Sequence, residues 1–285
     1  MKEFQYFTPS TLEQACQILK EQEGAKVLAG GQSLIPVMKL GLSDISSIVD
    51  LKKIANLLYI RKDSNEIAIG ALTTHSEISR SELLRSELPL LAETAGKIGH
   101  TQIRNRGAIG GSLSHADPAA DLPATTLALD ATMVLQKDNS QRKVKADQFF
   151  KGVFETALEK GELLKEVRFE IPKGSSRAFL KLTLPIGGFA LVVVSCLLWL
   201  KGDQCEKSSI AIGGVTETPF RAGASEEYLK GQRLDDNRIA GAAEKSLEGI
   251  SIMQGLGYPE EYVEKMIKVE TKRAIRLALT RSKER

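Results

Sequence analysis

Cysteine is scarce in this chain. Its three cysteines, Cys16, Cys196 and Cys205, form no C-x-x-C pair, and their number is odd. This count excludes a disulfide framework and any site of four thiolates for zinc or an iron–sulfur cluster. Cys16 shares an apolar helix face with Leu12 and Leu19, and Cys196 lies within a long apolar run, so both are predicted to pack in the core.

An excess of charge of one sign is also lacking. The 39 basic and 36 acidic residues are mixed along the 285-residue chain, and the formal net charge is only +3. The diffuse attraction to phosphate that supports non-specific nucleic-acid binding is therefore not expected. Nucleic acid is not predicted as a partner.

Long hydrophobic runs are missing as well. The longest, residues 189–200, is far shorter than the ~20 residues that a membrane helix needs, and its valines favour a buried strand. The N-terminus, Met-Lys-Glu-Phe-Gln, lacks the apolar core of a signal peptide. We therefore expect no membrane span and a cytoplasmic location.

The first part of the chain, residues 1–55, is predicted to form a small α/β unit. A helix begins after Ser10 or Thr11, and strands are predicted at 26–29 and 48–51. The loop that follows the first of these strands is irregular and rich in glycine.

Two further parts are predicted on either side of a linker. Residues 56–172 combine helical patterns with hairpin signals at 63–65 and 138–140. The stretch 172–176, Pro-Lys-Gly-Ser-Ser, breaks regular structure and is predicted as the linker. Residues 177–285 begin with strand patterns and end with three helical ones, which favours an antiparallel sheet backed by helices. The predicted fold class is therefore α+β.

Two glycine-bearing loops carry the first functional signal. They are Ala29-Gly30-Gly31-Gln32-Ser33-Leu34 and Gly107-Ala108-Ile109-Gly110-Gly111-Ser112. A diphosphate needs close approach to the backbone and several N–H donors, which paired glycines allow because they lack Cβ. Taken singly, a Gly-Gly pair is also typical of a plain tight turn. Neither loop has the G-x-G-x-x-G or P-loop spacing, so a classical nucleotide fold is disfavoured.

The sequence around both loops resembles a known family. The runs 28–40 (LAGGQSLIPVMKL) and 98–123 (IGHTQIRNRGAIGGSLSHADPAADLP) look like the two FAD-binding motifs of the flavoprotein subunit of molybdenum hydroxylases. This is the family of the carbon monoxide dehydrogenase medium subunit and the xanthine dehydrogenase FAD subunit. The second run is long and specific, and the similarity covers nearly the whole chain, including 161–167 and 214–221.

The resemblance implies a fold and a set of cofactor contacts. The fold would be vanillyl-alcohol-oxidase-like, of the PCMH type, with two α/β subdomains that grip FAD and a C-terminal sheet domain that completes the pocket. Both glycine loops would bind the diphosphate, and Asp121 would contact a ribose or ribityl hydroxyl. Leu164, or its neighbour Leu163, would pack near the adenine, and Lys181 would contact the cofactor from the third domain. Phe189 keeps an aromatic position and is expected to lie against the flavin ring.

The chain also departs from the family pattern. Charged residues that the family often has at positions 185 and 188 are replaced by Pro185 and Gly188. This weakens the expectation of an electron acceptor that such charges would hold, for example a nicotinamide dinucleotide.

Several polar residues keep a second interpretation. Asp121 precedes a predicted helix, so it could serve as an N-cap as well as a cofactor contact. His100 and His115 are interpreted as hydrogen-bonded structural residues rather than a metal pair, because no third ligand is near in sequence. Arg104 and Arg106 could offset the charge of the diphosphate or form internal ion pairs.

The resemblance implies a division of labour among subunits. A large subunit with a molybdenum cofactor would hydroxylate the substrate, a small [2Fe–2S] subunit would relay electrons, and FAD in this chain would pass them to a terminal acceptor, in a dimer of heterotrimers. The cysteine count agrees, since the clusters cannot be on this chain. Two alternatives stay open. One is a self-contained flavin-dependent reductase on the same fold, which would need a general acid beside the flavin. The other is a catalytically silent nucleotide-binding module.

Overall fold

The computed structural model describes residues 3–183 and 188–284. The chain begins with a three-stranded parallel sheet. Its strands, in spatial order, are β1 (Gln5–Phe7), β3 (Ser47–Asp50) and β2 (Ala25–Leu28). Helices α1 (Leu12–Glu21) and α2 (Leu34–Lys39) follow β1 and β2 respectively. The side chain of Thr11 caps α1 by accepting the N–H of Gln14. The predicted α/β pattern is present, with β1 as a strand too short for the sequence to predict.

The second sheet has five antiparallel strands. In spatial order they are β4 (Ile60–Asp63), β5 (Glu66–Gly70), β10 (Leu163–Glu170), β6 (Thr132–Lys137) and β7 (Ser140–Lys145). Both predicted hairpins are confirmed. Their turns contain Ser64 and Asp138 at positive φ, which short polar side chains tolerate better than most.

Helices fill the space between β5 and β6. They are α3 (His75–Arg80), α4 (Glu82–Glu87), α5 (Pro89–Lys97), α6 (Thr101–Arg104), α7 (Ile109–His115) and α8 (Asp121–Ala128). The expectation of a loop at the second glycine run is wrong, because Ile109 to Ser112 form the first turn of α7. A short helix α9 (Ala146–Phe149) and a two-stranded ribbon of β8 (Phe150–Gly152) and β9 (Glu155–Thr156) lie between β7 and β10.

The third sheet is antiparallel and is backed by helices, as predicted. Its strands β11 (Ser175–Leu182), β12 (Val192–Lys201), β13 (Gln204–Gly213) and β14 (Phe220–Arg221) lie in sequence order. Helices α10 (Gly223–Leu229), α11 (Asp236–Lys245) and α12 (Glu260–Lys283) follow, and α12 packs across β11 and β12. None of the helices in the described ranges is long and apolar enough to cross a membrane.

Two strand boundaries differ from the sequence prediction. The first strand of the third part, predicted to follow the linker, begins at Ser175, inside the predicted linker. The strand expected from residue 189 begins at Val192. Ser175 and Ser176 are both buried, so the serines that were typical of a linker instead pack within the sheet.

Strand β12 is buried on both faces. Val193 and Leu197 pack in a core that also contains Ile67 of β5 and Leu127 of α8. The side chains that alternate with them, such as Val194, pack in a second core under α11 and α12. This double burial explains the long apolar run of the sequence. Cys16 and Cys196 are fully buried, which confirms their predicted packing role.

A chain of buried hydroxyl groups runs from α5 through α8 to β12. Thr94 Oγ1 lies 2.9 Å from Thr125 Oγ1, which in turn lies 2.7 Å from Ser195 Oγ. All three residues are completely buried. Since a hydroxyl both donates and accepts, the three groups satisfy one another without water.

Candidate functional site

The two glycine runs lie against each other. A Cβ on Gly30 would overlap the carbonyl oxygen of Arg106 and would lie 2.7 Å from the Cα of Gly107. Backbone therefore packs directly on backbone here, and no residue with a side chain fits at position 30. A Cβ on Gly111 would meet only the Cβ of Ala29, at 3.3 Å.

The end of β5 holds the second run in place. Ile109 N–H donates to the carbonyl of Thr73 at 3.0 Å, and Gly110 N–H donates to that of Ala71 at 2.9 Å. A Cβ on Gly110 would lie 2.5 Å from the Cβ of Ala71. Gly110 is thus required by packing within the protein, whereas Gly111 is not restricted in this way.

The junction of the runs presents backbone N–H groups. Gly31 has φ +71°, a conformation that glycine adopts without strain. Within residues 3–183 and 188–284, no protein acceptor takes the N–H groups of Gly31, Gln32, Ser33 or Gly111. The hydroxyl of Ser33 makes no capping bond to α2. Clustered N–H donors of this kind bind phosphate groups.

Asp121 and Lys181 form a buried ion pair. Lys181 Nζ donates to Asp121 Oδ2 at 2.8 Å, and the two side chains are only 10% and 4% exposed. The other carboxylate oxygen, Oδ1, is buried and has no partner among the described residues. Burial raises the pKa of the Asp121 carboxyl, and the charge of Lys181 opposes that rise.

The interpretation of Asp121 as a helix N-cap is wrong. Helix α8 begins at Asp121 itself, Ala120 occupies the cap position, and no side chain caps the helix. The physical reason is that the carboxylate is directed to Lys181 on β11 instead of to the first N–H groups of its own helix. An unsatisfied oxygen in this pair is available to accept a bond from a ligand hydroxyl.

Leu163 and Leu164 pack into different cores. Leu164 belongs to the core around β5 and α8, and Leu163 to the core under the N-terminal sheet. Both are nearly completely buried. The strand bulges at Lys165, whose carbonyl accepts the N–H of Ala71 at 2.9 Å. The backbone of Leu164 is therefore close to the second glycine run.

Phe189 lies in an irregular segment just before β12. The residue is 72% exposed and belongs to none of the buried cores. Gly188 beside it is described, and Pro185 lies outside the described residues.

Sequence reasoning missed His75. A Cβ on Gly107 would lie 2.9 Å from its Cδ2, and its backbone N–H donates to the carbonyl of Gly107 at 2.9 Å. Burial lowers the pKa of His75 to about 4, and the charge of Arg104 acts in the same direction. The sequence signal was the capping box of Thr74 and Glu77, which puts His75 in the first turn of α3 but does not reveal the distant contact with Gly107.

The other histidines and arginines of this region have local roles. The ring of His115 lies 4.8 Å from that of Phe154, centroid to centroid, and His100 is exposed. Across the described part of the chain, no group of three or more His, Cys, Asp or Glu side chains could hold a metal ion. Arg104 donates to the carbonyls of Ile98 and Gly99, so the internal ion pairs that were one alternative are not found for it among these residues.

Comparison with known proteins decides the family. A family model described as the FAD binding domain in molybdopterin dehydrogenase matches residues 2–173. A second, the CO dehydrogenase flavoprotein C-terminal domain, matches residues 177–278. The chain belongs to the FAD-binding medium subunits of molybdenum hydroxylases. The resemblance stated from the sequence is confirmed, and so is FAD as the cofactor of this flavoprotein subunit.

Relatives and solved structures cover almost the full length of the flavoprotein subunit. The glyceraldehyde dehydrogenase medium chain of Sulfolobus acidocaldarius is 35% identical over 274 residues, which are 96% of this chain and 98% of the relative. The carbon monoxide dehydrogenase medium chain of Afipia carboxidovorans is 35% identical over 285 residues and covers 98% of each chain. A structure of carbon monoxide dehydrogenase from Hydrogenophaga pseudoflava superposes with a TM-score of 0.95 at 33% identity, again over 98% of each chain.

The site of the flavoprotein subunit fits FAD. Free N–H groups at the junction of the glycine runs match a diphosphate, and the unpartnered Oδ1 of Asp121 matches a cofactor hydroxyl. The subunit is thus part of an oxidoreductase, and its mixed helix-and-sheet fold with antiparallel sheets is that of the carbon monoxide dehydrogenase medium subunit.

Proposed function

We propose that this chain is the electron-transfer subunit of a three-component molybdenum hydroxylase. A large subunit with the molybdenum cofactor oxidises the substrate, and a small subunit with [2Fe–2S] clusters relays the electrons. FAD, when bound here, receives these electrons and passes them to a terminal acceptor. We further propose a dimer of heterotrimers as the assembly. A cytoplasmic location stays a prediction.

The observation that carries this proposal is the separation of the cofactor site from any thiolate cluster. The junction of the glycine runs and the Asp121–Lys181 pair are organised for FAD. A [2Fe–2S] cluster needs four protein ligands, commonly cysteine, but the chain has only three cysteines. All three are buried in its cores. The proposal therefore places the clusters that supply electrons to this site on another chain.

We assign the chain's own residues as follows. The runs at 29–34 and 107–112 bind the diphosphate, with the free N–H groups of Gly31, Gln32, Ser33 and Gly111 as donors. Asp121 accepts a hydrogen bond from a ribose or ribityl hydroxyl at Oδ1, while Lys181 binds the other carboxylate oxygen, Oδ2. Leu164 packs near the adenine, and Phe189, which is exposed, covers the flavin ring.

The proposal includes a division into three domains. Residues 1–55 and 56–172 grip FAD, and residues 177–285 complete the pocket, in a vanillyl-alcohol-oxidase-like arrangement of the PCMH type. The two family models, which end at 173 and begin at 177, support the second boundary. The ion pair between Asp121 and Lys181 supports a pocket made by both sides of that boundary.

We infer that the substrate is chosen by the large subunit. The relatives named for glyceraldehyde and for carbon monoxide are each 35% identical to this chain, although their substrates differ widely in size and polarity. The similarity of a medium chain to this one therefore does not depend on the substrate of its enzyme. Gly188, next to Phe189, has no charge with which to hold a particular electron acceptor, so the proposal specifies no terminal acceptor.

The test compares the isolated chain with the assembled complex. The chain is produced alone and also with a tag from its native host, and flavin, iron and molybdenum are measured in both preparations. We expect FAD in both, with iron and molybdenum only in the native complex. Reduction of the flavin by substrate should occur only in the complex. Substrate turnover by the isolated chain at the rate of the complex would contradict the division of labour and favour a self-contained reductase.

A further inference from the structure

A groove of about 470 Å³ lies on the protein surface between α3, α4, α5, α6 and the start of β11. It is separate from the junction of the glycine runs, since it contains none of their residues. Four arginines line it, together with three hydroxyl side chains. They are Arg80, Arg85, Arg104 and Arg177, with Ser76, Ser79 and Thr101.

The charge of the groove is strongly one-sided. Its single carboxylate, Glu93, is already shared by two cations outside the lining, with Arg281 Nη1 at 2.8 Å and Lys97 Nζ at 3.2 Å. Four arginines against one glutamate give the lining a formal charge of +3. Among the ion pairs of residues 3–183 and 188–284, none involves Arg80, Arg85 or Arg104. Like charges gathered in one concavity attract anions.

Two of the guanidinium groups are held in place by the protein. Arg104 Nη1 donates to the carbonyls of Ile98 and Gly99 at 3.0 and 2.8 Å, and its Nη2 donates to Thr101 Oγ1 at 3.1 Å. Arg85 Nε donates to the carbonyl of Ser79 at 2.9 Å. A guanidinium has five N–H donors, so each keeps donors for a ligand. Because these side chains are already ordered, binding costs them little conformational entropy.

The chemistry of the lining selects a class of ligand. Guanidinium groups bind phosphate with paired N–H bonds, and the hydroxyls of Ser76 and Thr101 can donate to the remaining phosphate oxygens, whereas that of Ser79 donates to the carbonyl of Ser76. The volume is within the range of ~300–1,000 Å³ that is usual for small-molecule sites. We propose that this groove binds a phosphorylated small molecule through Arg80, Arg85 and Arg104.

The test uses the full chain saturated with FAD, so that its diphosphate site is filled, and inorganic pyrophosphate as the probe. Calorimetric titration should give saturable binding to one site. The double variant Arg80→Gln/Arg85→Gln should weaken it by about tenfold or more, since two charge-assisted contacts are lost. Arg233→Gln, which removes the same kind of charge from a side chain that is 80% exposed elsewhere, is the matched control and should change nothing.

Three results would overturn the proposal. One is the absence of pyrophosphate binding. Another is an equal loss per removed charge in the groove variant, which loses two charges, and in the Arg233 control, which loses one, because the interaction would then follow net charge alone. The third is binding of a hexaglutamate peptide, but not of pyrophosphate, with the same dependence on Arg80 and Arg85, since the groove would then dock an acidic protein segment. Flavin content and melting temperature, measured on every variant, separate these results from a loss of FAD binding or of folding.

Discussion

Lys181 and Asp121 meet at 2.8 Å across the contact between β11 and α8, and the ion pair uses only one of the two carboxylate oxygens. A buried charge with an unsatisfied oxygen is unfavourable unless something else completes its hydrogen bonding. In a chain that binds FAD, a cofactor hydroxyl fills this role. The Asp121–Lys181 pair therefore affects both the stability of the protein and its affinity for FAD. Variants of the two residues can separate these two effects.

The first prediction separates those two roles. Asp121→Asn should weaken FAD binding by roughly ten- to a hundred-fold, since a charged hydrogen bond contributes ~1.5–3 kcal/mol. It should also destabilise the apoprotein by ~3–5 kcal/mol, because Lys181 is left buried without a counter-charge. The double variant Asp121→Asn/Lys181→Met should recover stability but not FAD affinity. Apoprotein melting and FAD titration measure the two effects, and wild-type affinity in the double variant would leave the pair a purely structural role.

The second prediction concerns Gly111. Gly111→Val should give a folded protein with much weaker FAD retention, because a Cβ at this position meets only the Cβ of Ala29, at 3.3 Å, while the branched side chain would occupy space next to the free N–H groups. Gly30→Ala should instead prevent the two runs from packing at all, since its Cβ would overlap backbone. Gly223→Val, at a position with open space around it, is the control. Normal flavin content in folded Gly111→Val would argue strongly against the assignment of this run.

The third prediction is a pH dependence that originates in His75. Its pKa is about 4 in the folded protein and about 6.5 for an ordinary histidine in the unfolded chain, so between pH 4 and 6.5 the unfolded chain binds more protons than the folded one. Stability should therefore fall as the pH falls from 6.5 to 4, by about 3 kcal/mol from this group. Urea unfolding at several pH values should show a flatter profile for His75→Gln in this window. Parallel profiles for the two proteins would show that His75 titrates normally.

The fourth prediction concerns the hydroxyl chain of Thr94, Thr125 and Ser195. Thr125→Val keeps the shape of the side chain but leaves the buried hydroxyl of Ser195 without its partner, whereas that of Thr94 still donates to the carbonyl of Leu90 at 2.9 Å. The expected cost is about 1–3 kcal/mol in the free energy of unfolding, the cost of an unsatisfied buried polar group. Thr280→Val, at an exposed position of α12, should cost far less. If Thr125→Val is as stable as the wild type, the hydrogen bonds among these three hydroxyl groups contribute nothing to the stability of the fold.

The sequence predicted features that depend on neighbouring residues. Both hairpins, the cap at Thr11 and the pattern of strands and helices follow from local turn chemistry and periodicity, and they were found close to their predicted positions. The glycine runs were recognised for the same reason. Strand β1 was missed because three residues cannot show a reliable alternation.

Features that depend on distant residues were not predicted. Asp121 and Lys181 were each assigned to the cofactor through the family resemblance, yet nothing local indicated that they bind each other. The contact of His75 with Gly107 and the backbone contact of Gly30 with Arg106 are of the same kind. At residues 172–176 the local composition was misleading, since Ser175 and Ser176 are polar by type but buried by their place in β11.

The turn at residues 172–174 connects the two segments that the family models match, but one hydrophobic core contains residues from both segments. Phe179, Val193 and Leu197, from beyond the turn, pack in the same core as Ile67 and Leu127, from before it. If the C-terminal segment were exchanged between relatives, the shared core would combine buried side chains from two different proteins. These side chains would not be matched to each other in size and shape. A recombined gene cut at this turn should yield a working protein only when the buried residues on both sides come from the same parent.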